Sequence, residues 1–181
     1  GTIRLGSIDG MTEAFQLNGN GFQGTNGALQ VAGIGTMSGG VFLSSPATIN
    51  TLSNSSLAIN SAIFGAGPLT KSGRGNLFFS GGANNYYIGG TIVSAGLLQL
   101  SKNPGIIAAP GNLTIGPATA NAPATVRWLN TGAMSAGVVA TVNANGVLDL
   151  NGQNQLLAQL FLNDGGDVQT GAGTLSFPGG G

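Results

Sequence analysis

The sequence has no cysteine and no histidine, and charged residues make up only 6% of its 181 positions. Without cysteine there is no disulfide framework, no thiolate nucleophile and no thiolate metal ligand. Without histidine the Ser-His-Asp and Cys-His catalytic arrangements are excluded, together with the usual zinc sites. Five basic side chains balance five acidic ones, too few and too scattered to cover a nucleic-acid backbone. No run approaches the ~18 unbroken apolar residues of a membrane-spanning helix. The opening Gly1-Thr2-Ile3-Arg4-Leu5 has neither the charged n-region nor the apolar h-region of a signal peptide, and it does not start with Met. The chain therefore reads as a mature product or an excised piece of something longer, and the lack of cysteine suits an extracellular bacterial protein.

Glycine is what the sequence has in excess: 34 residues of 181, against a usual share of about 7%. There is no Gly-X-Y register, which excludes collagen. A hydrophobic fraction of 41% at zero net charge excludes charge-driven disorder. Short runs of alternating apolar and polar residues recur from end to end, at 2–5, 28–31, 56–59, 97–100, 112–115, 140–143, 147–150, 160–162 and 174–177. This period of two is the mark of strands with one buried face. Clusters of Gly and Asn separate them, at 18–21, 39–40, 81–82, 89–90, 145–146, 151–152 and 165–166. Both residues tolerate positive φ, so these are turns. Leu156, Leu157 and Leu160 have helical spacing, but the window is short and reads as a loop entering a strand at Leu160. Residues 12–15 offer a second possible helical turn.

The Asn-Gly pairs would suit antiparallel hairpins, but a sandwich exposes one face of each sheet and normally dots it with Lys and Glu. Here the outward positions are Asn, Ser, Thr and Gln. Those side chains form hydrogen-bonded ladders when like positions stack every ~4.8 Å, where like charges would repel. Low charge, high Gly and Asn, and many four-residue strands together predict an all-β fold: a right-handed parallel β-helix, or β-solenoid, filling residues 1–181 as a single segment. At about twenty residues per coil the chain makes roughly nine coils, on the order of 43 Å long.

The most ordered stretch is 65–101, where Gly65, Gly67, Leu69, Lys71, Gly73, Gly75, Leu77 and Phe79 alternate strictly. They are followed by Gly81, Asn85, Tyr87, Gly89, Thr91, Val93, Gly96 and Leu98. In this order and spacing the run resembles the autotransporter-associated β-strand repeat, also called the passenger-associated transport repeat. One extra residue lies between Gly81 and Asn85, and Asn76 stands where the repeat usually has Thr. Residues 1–5, 145–152 and 160–173 resemble the flanks of that repeat more loosely. The resemblance implies a right-handed β-helix within a large secreted or surface-displayed bacterial protein. It implies a scaffold and transport element without enzymatic activity or cofactor.

The residues themselves give the motif a physical reading. Leu69, Leu77, Phe79, Val93, Leu98 and Leu100 point inward, each burial worth roughly 1.5–3 kcal/mol. Gly73, Gly75, Gly81 and Gly89 supply corners with no room for a side chain. Asn85 sits in a turn with its amide on exposed backbone groups. Tyr87 covers a corner with its hydroxyl reaching solvent. Lys71 is a solvated corner residue.

Other candidates carry two readings each. Asp164 and Asp167 could bind calcium, but one copy is too little for a calcium roll and EF-hand spacing is absent, so the turn reading is preferred. Carbohydrate cleavage needs clustered carboxylates, and only Asp9, Glu13, Asp149, Asp164 and Asp167 exist. A lyase would need a base such as Arg127 or Lys102. Trp128 beside Arg127 could stack on a sugar but reads better as core or edge cover, and Tyr86 and Tyr87 could contact a partner. A structural building block is therefore expected, in a long passenger or a head-to-tail fibre at the cell surface; the alternatives are an adhesin or glycan-binding module and a carbohydrate-active β-helix. Both ends read as strand with no charge to discourage pairing, so other β-solenoid segments or copies of the chain should stack there. The alternative is a cap formed by 12–22 or 177–181.

Overall fold

The computed structural model describes residues 1–24, 26–116 and 122–178. Every strand pairing among them is parallel, and the strands stack into eight coils of a three-sided β-solenoid. The coils are eight rather than nine because they average more than twenty residues; Lys71 pairs with Val93, but Ile115 pairs with Val142.

The first face carries Ile3–Leu5, Leu29–Val31, the second half of Val41–Thr51, Leu69–Ser72, Thr91–Val93, Leu113–Ile115, Val139–Val142 and Gln159–Leu162. The second face carries Ile8–Met11, Ile34–Met37, Ser56–Ile59, Asn76–Gly81, Gly96–Lys102, Ala124–Trp128, Gly146–Asp149 and Asp167–Gln169. The third face is shorter and less regular. Phe15–Gly19, the first half of Val41–Thr51 and Ile63–Gly65 form a ladder there, and Gln155–Leu156 pairs with Leu175–Ser176. Between them the chain continues through backbone bonds such as Tyr86 N to Ile63 O at 2.7 Å and Asn85 N to Ile107 O at 2.9 Å.

The core is a set of ladders. On the second face Leu57, Leu77, Leu98, Val126 and Leu148 lie in register, as do Met37, Ile59, Phe79, Leu100 and Trp128. All ten are fully buried. On the first face Leu29, Ile49, Lys71, Val93, Ile115 and Val142 form one such line. Polar ladders form at the corners instead: Asn163 Nδ2 donates to Asn143 Oδ1 at 3.0 Å, and Ser101 Oγ to Phe79 O at 3.1 Å.

Two corners show why glycine is needed. Gly73 has φ +74°, and a Cβ there would sit 2.2 Å from Thr51 O; a Cβ on Gly89 would sit 2.2 Å from Pro68 N. Asn145 and Asn151, at the turns read from their Asn-Gly pairs, take left-handed φ of 60° and 49°.

Several local expectations are corrected. Residues 12–15 form no helical turn; Phe15 opens a strand on the third face of the first coil, so 12–22 is part of the coil and not a cap over it. The 153–160 window is not simply a loop: Gln155–Leu156 is a strand and Leu157 is buried. The alternative cap at 177–181 falls on 179–181, outside the described residues.

Candidate functional site

The carboxylates are dispersed. Among the described residues there is no group of three or more acidic, His or Cys side chains able to hold a metal. Asp164 takes a left-handed φ of 50° in its turn, and Asp167 Oδ2 accepts from Gln169 Nε2 at 2.7 Å. Asp149, nearly buried, is fully used: Oδ2 accepts from Arg127 Nε at 2.7 Å and Oδ1 from Asn151 N at 2.8 Å. That leaves the Arg127 Nη groups free of the pair. Trp128 is wholly buried, its Nε1 donating to Gln155 Oε1 at 3.1 Å, so it offers no platform to a sugar.

Within the run 65–101, Leu69, Leu77, Phe79, Val93 and Leu98 occupy the core ladders, and Thr91 joins Leu69 and Leu113 in another. Gly65 and Gly67 pack on the Leu43 and Ser45 backbone, Gly75 on Leu52 and Ser55, Gly81 on Asn60, and Gly96 on Gly73 and Gly75.

Three residues of this run depart from their expected roles. Lys71 is not a solvated corner. It has the inward parity of Leu69 and is fully buried in the Ile49–Val93 line. Its Nζ donates to Ser72 O at 2.8 Å, Gly73 O at 2.6 Å and Ala95 O at 2.9 Å. Nζ thus gathers three partly buried corner carbonyls, one of them from the next coil. Asn85 is not in an exposed turn. It is buried on the third face, its Oδ1 accepting from Ile63 N at 2.9 Å and its Nδ2 donating to Ala108 O at 2.6 Å, one coil to either side. Tyr87 does not reach solvent; its hydroxyl is 2.5 Å from Thr91 Oγ1 inside the core. Lys102, considered as a base, is also buried, with Nζ donating to Ser61 O at 3.0 Å and Ser80 O at 2.9 Å. Both lysines of the chain are therefore interior struts.

Burial shapes their titration. Desolvation pushes Lys71 from its ordinary 10.5 down to about 7 and Lys102 down to about 8. Tyr87 is pushed up by desolvation, with Thr91 opposing. From about pH 7 to 10.5 the unfolded chain holds a proton that folded Lys71 has released, so stability rises with pH across that window, Lys102 adding from about pH 8. Above the ordinary tyrosine value of 10.0 the unfolded phenol ionises while the buried one does not, which opposes the rise. Urea midpoints are expected to climb from pH 7 to about pH 10.5 and to drop above it, where the unfolded lysines have also lost their protons. Lys71→Met should flatten the climb, and a climb of unchanged slope in that variant would contradict the assignment.

Tyr86 is exposed and stacks on Phe64 with ring centroids 5.6 Å apart and planes within 12°. Phe42 precedes Phe64 in register, so three aromatics line one ridge. One ring face of Phe64 is turned to Tyr86, while the residue stays 40% exposed.

The fold and its sites define a parallel β-solenoid whose chemistry-bearing side chains are mostly spent on holding coils together. Over 182 aligned residues, 99% of this chain, it is 30% identical to the Adhesin BmaC autotransporter of Brucella suis biovar 1 (strain 1330), and it spans 5% of that protein. In sequence the chain is thus similar to a short stretch of that autotransporter adhesin. No family model matches it, and no solved structure does.

Proposed function

We propose that the chain is a non-catalytic structural stretch of a long autotransporter-type passenger, displayed at the bacterial surface, whose coils continue onto further β-solenoid. The repeat-like run 65–101 and the relationship to an autotransporter adhesin support this reading.

The observation that carries it is at the last coil. Leu160, Leu162 and Val168 hold the ladder positions of Ala140, Val142 and Leu148, yet Leu162 is 54% exposed where Val142 is 0%. Ile3, at the head of the first-face ladder, is also exposed. Apolar ladder ends and open strand edges favour another coil in parallel register.

Sedimentation velocity of the 181-residue chain is expected to show association that grows with concentration. Leu162→Glu combined with Val168→Glu should abolish it. A soluble monomer at high concentration, with slowly exchanging amides at 159–162, would mean that the end closes on itself and that the reading fails.

A further inference from the structure

Three depressions on the second face share their lining residues. One of about 300 Å³ and one of about 480 Å³ meet at Ile34; the second and one of about 360 Å³ meet at Arg74. They line up as a shallow trough along the solenoid axis, across the strands, with the exposed Ile34 and Arg74 at its two junctions. Its floor is a single outward column in register: Ile34, Ser56, Asn76, Leu97 and Thr125. Five coils between Ile34 and Thr125 give it a length of about 19 Å at one strand spacing per step.

Two of the chain's three arginines line this trough. Arg74 is exposed and has no ion pair among the described residues. Arg127 is held by Asp149 through Nε, which fixes the guanidinium plane and leaves the Nη edge available. Asp149, largely buried, compensates Arg127 without itself lining the trough, so Arg74 is the trough's uncompensated cation; Asp9 lies beyond Ile34 at the far end. A guanidinium fork matches the geometry of a carboxylate. The remaining lining alternates hydroxyls and amides with the apolar surfaces of Ile34, Leu97 and Pro123.

We propose that this trough binds an extended acidic saccharide, a chain of carboxylate-bearing sugars lying along the axis. Its carboxylates pair with Arg74 and Arg127, its hydroxyls with Asn76 and Thr125, and its apolar ring faces rest on Leu97 and Pro123. An acidic peptide fits less well. Peptides bind sheets by adding a strand at an edge, whereas here the backbone groups beneath the ligand are already paired between coils. Two cations are too few for a polyphosphate backbone.

The test is calorimetric titration of the 181-residue chain with a hexamer of galacturonic acid, its methyl-ester counterpart, poly-L-glutamate and an oligothymidylate. The uronate hexamer is expected to bind, with Kd weakened at least tenfold by Arg74→Gln and, independently, by Thr125→Asp. Both positions face outward, and unchanged thermal melting shows that the fold is retained. The neutral ester should not compete. The proposal is overturned if the uronate does not bind, if neither variant weakens it, or if poly-L-glutamate or the oligothymidylate binds equally well.

Discussion

Replacing Lys71 by alanine should destabilise the fold by about 3–5 kcal/mol, as much as deleting a large core side chain. The stem of Lys71 fills the space between Ile49 and Val93, so truncation opens a cavity. It also removes the hydrogen bonds to the partly buried carbonyls of Ser72, Gly73 and Ala95, each worth about 0.5–1.5 kcal/mol net. Lys71→Met keeps most of the stem and should cost less. Arg74→Ala, three residues on and exposed, should stay within about 0.5 kcal/mol. Urea titrations with unchanged slope and shifted midpoint would measure all three. Equal effects at 71 and 74 would return Lys71 to the surface.

Trp128→Ala should cost a comparable amount, about 3–5 kcal/mol. Trp128 is the largest fully buried side chain and stacks on Leu100 in register. Its indole also anchors Gln155, whose Nε2 in turn donates to Leu156 O at 2.7 Å on the third face. Trp128→Phe should retain much of the packing but leave Gln155 Oε1 unpaired, for a loss of about 1–3 kcal/mol. The chain has a single tryptophan, so the wild-type midpoint can be followed by its fluorescence and the variants by circular dichroism. A loss below 1 kcal/mol for the alanine variant would show that neighbouring coils close over the gap.

These two residues also show where sequence was readable. The parallel solenoid was legible because strand after strand carries one apolar face, as at Leu77–Phe79 and Leu98–Leu100, and because few charges, such as Arg4 and Arg127, face out between such residues. Trp128 was legible as core for the same reason of parity with Val126. Lys71 and Lys102 were not read as core, although they continue the alternation of Leu69 and of Leu98–Leu100. Residue type overrode position, since a buried ammonium is tolerated only when carbonyls converge on it, and that convergence belongs to corners formed by neighbouring coils. Asn85 and Tyr87 were missed because the third face has little alternation between Ile63–Gly65 and Gln155–Leu156, so their burial is decided by the coils on either side. The trough was invisible for a related reason: Ile34, Ser56, Asn76, Leu97 and Thr125 become a column only through register.

The interior struts have a mechanical consequence. Asn85 in the fourth coil ties to Ile63 in the third and Ala108 in the fifth. Lys102 in the fifth reaches back to Ser80 in the fourth and Ser61 in the third. Tension applied along the axis of a simple stack peels coils singly, because each holds only its neighbours. Here three adjacent coils are laced so that none leaves without breaking bonds to two others. The stretch 61–108 is thereby a rivet within a rope, able to bear load while the coils outside it come away.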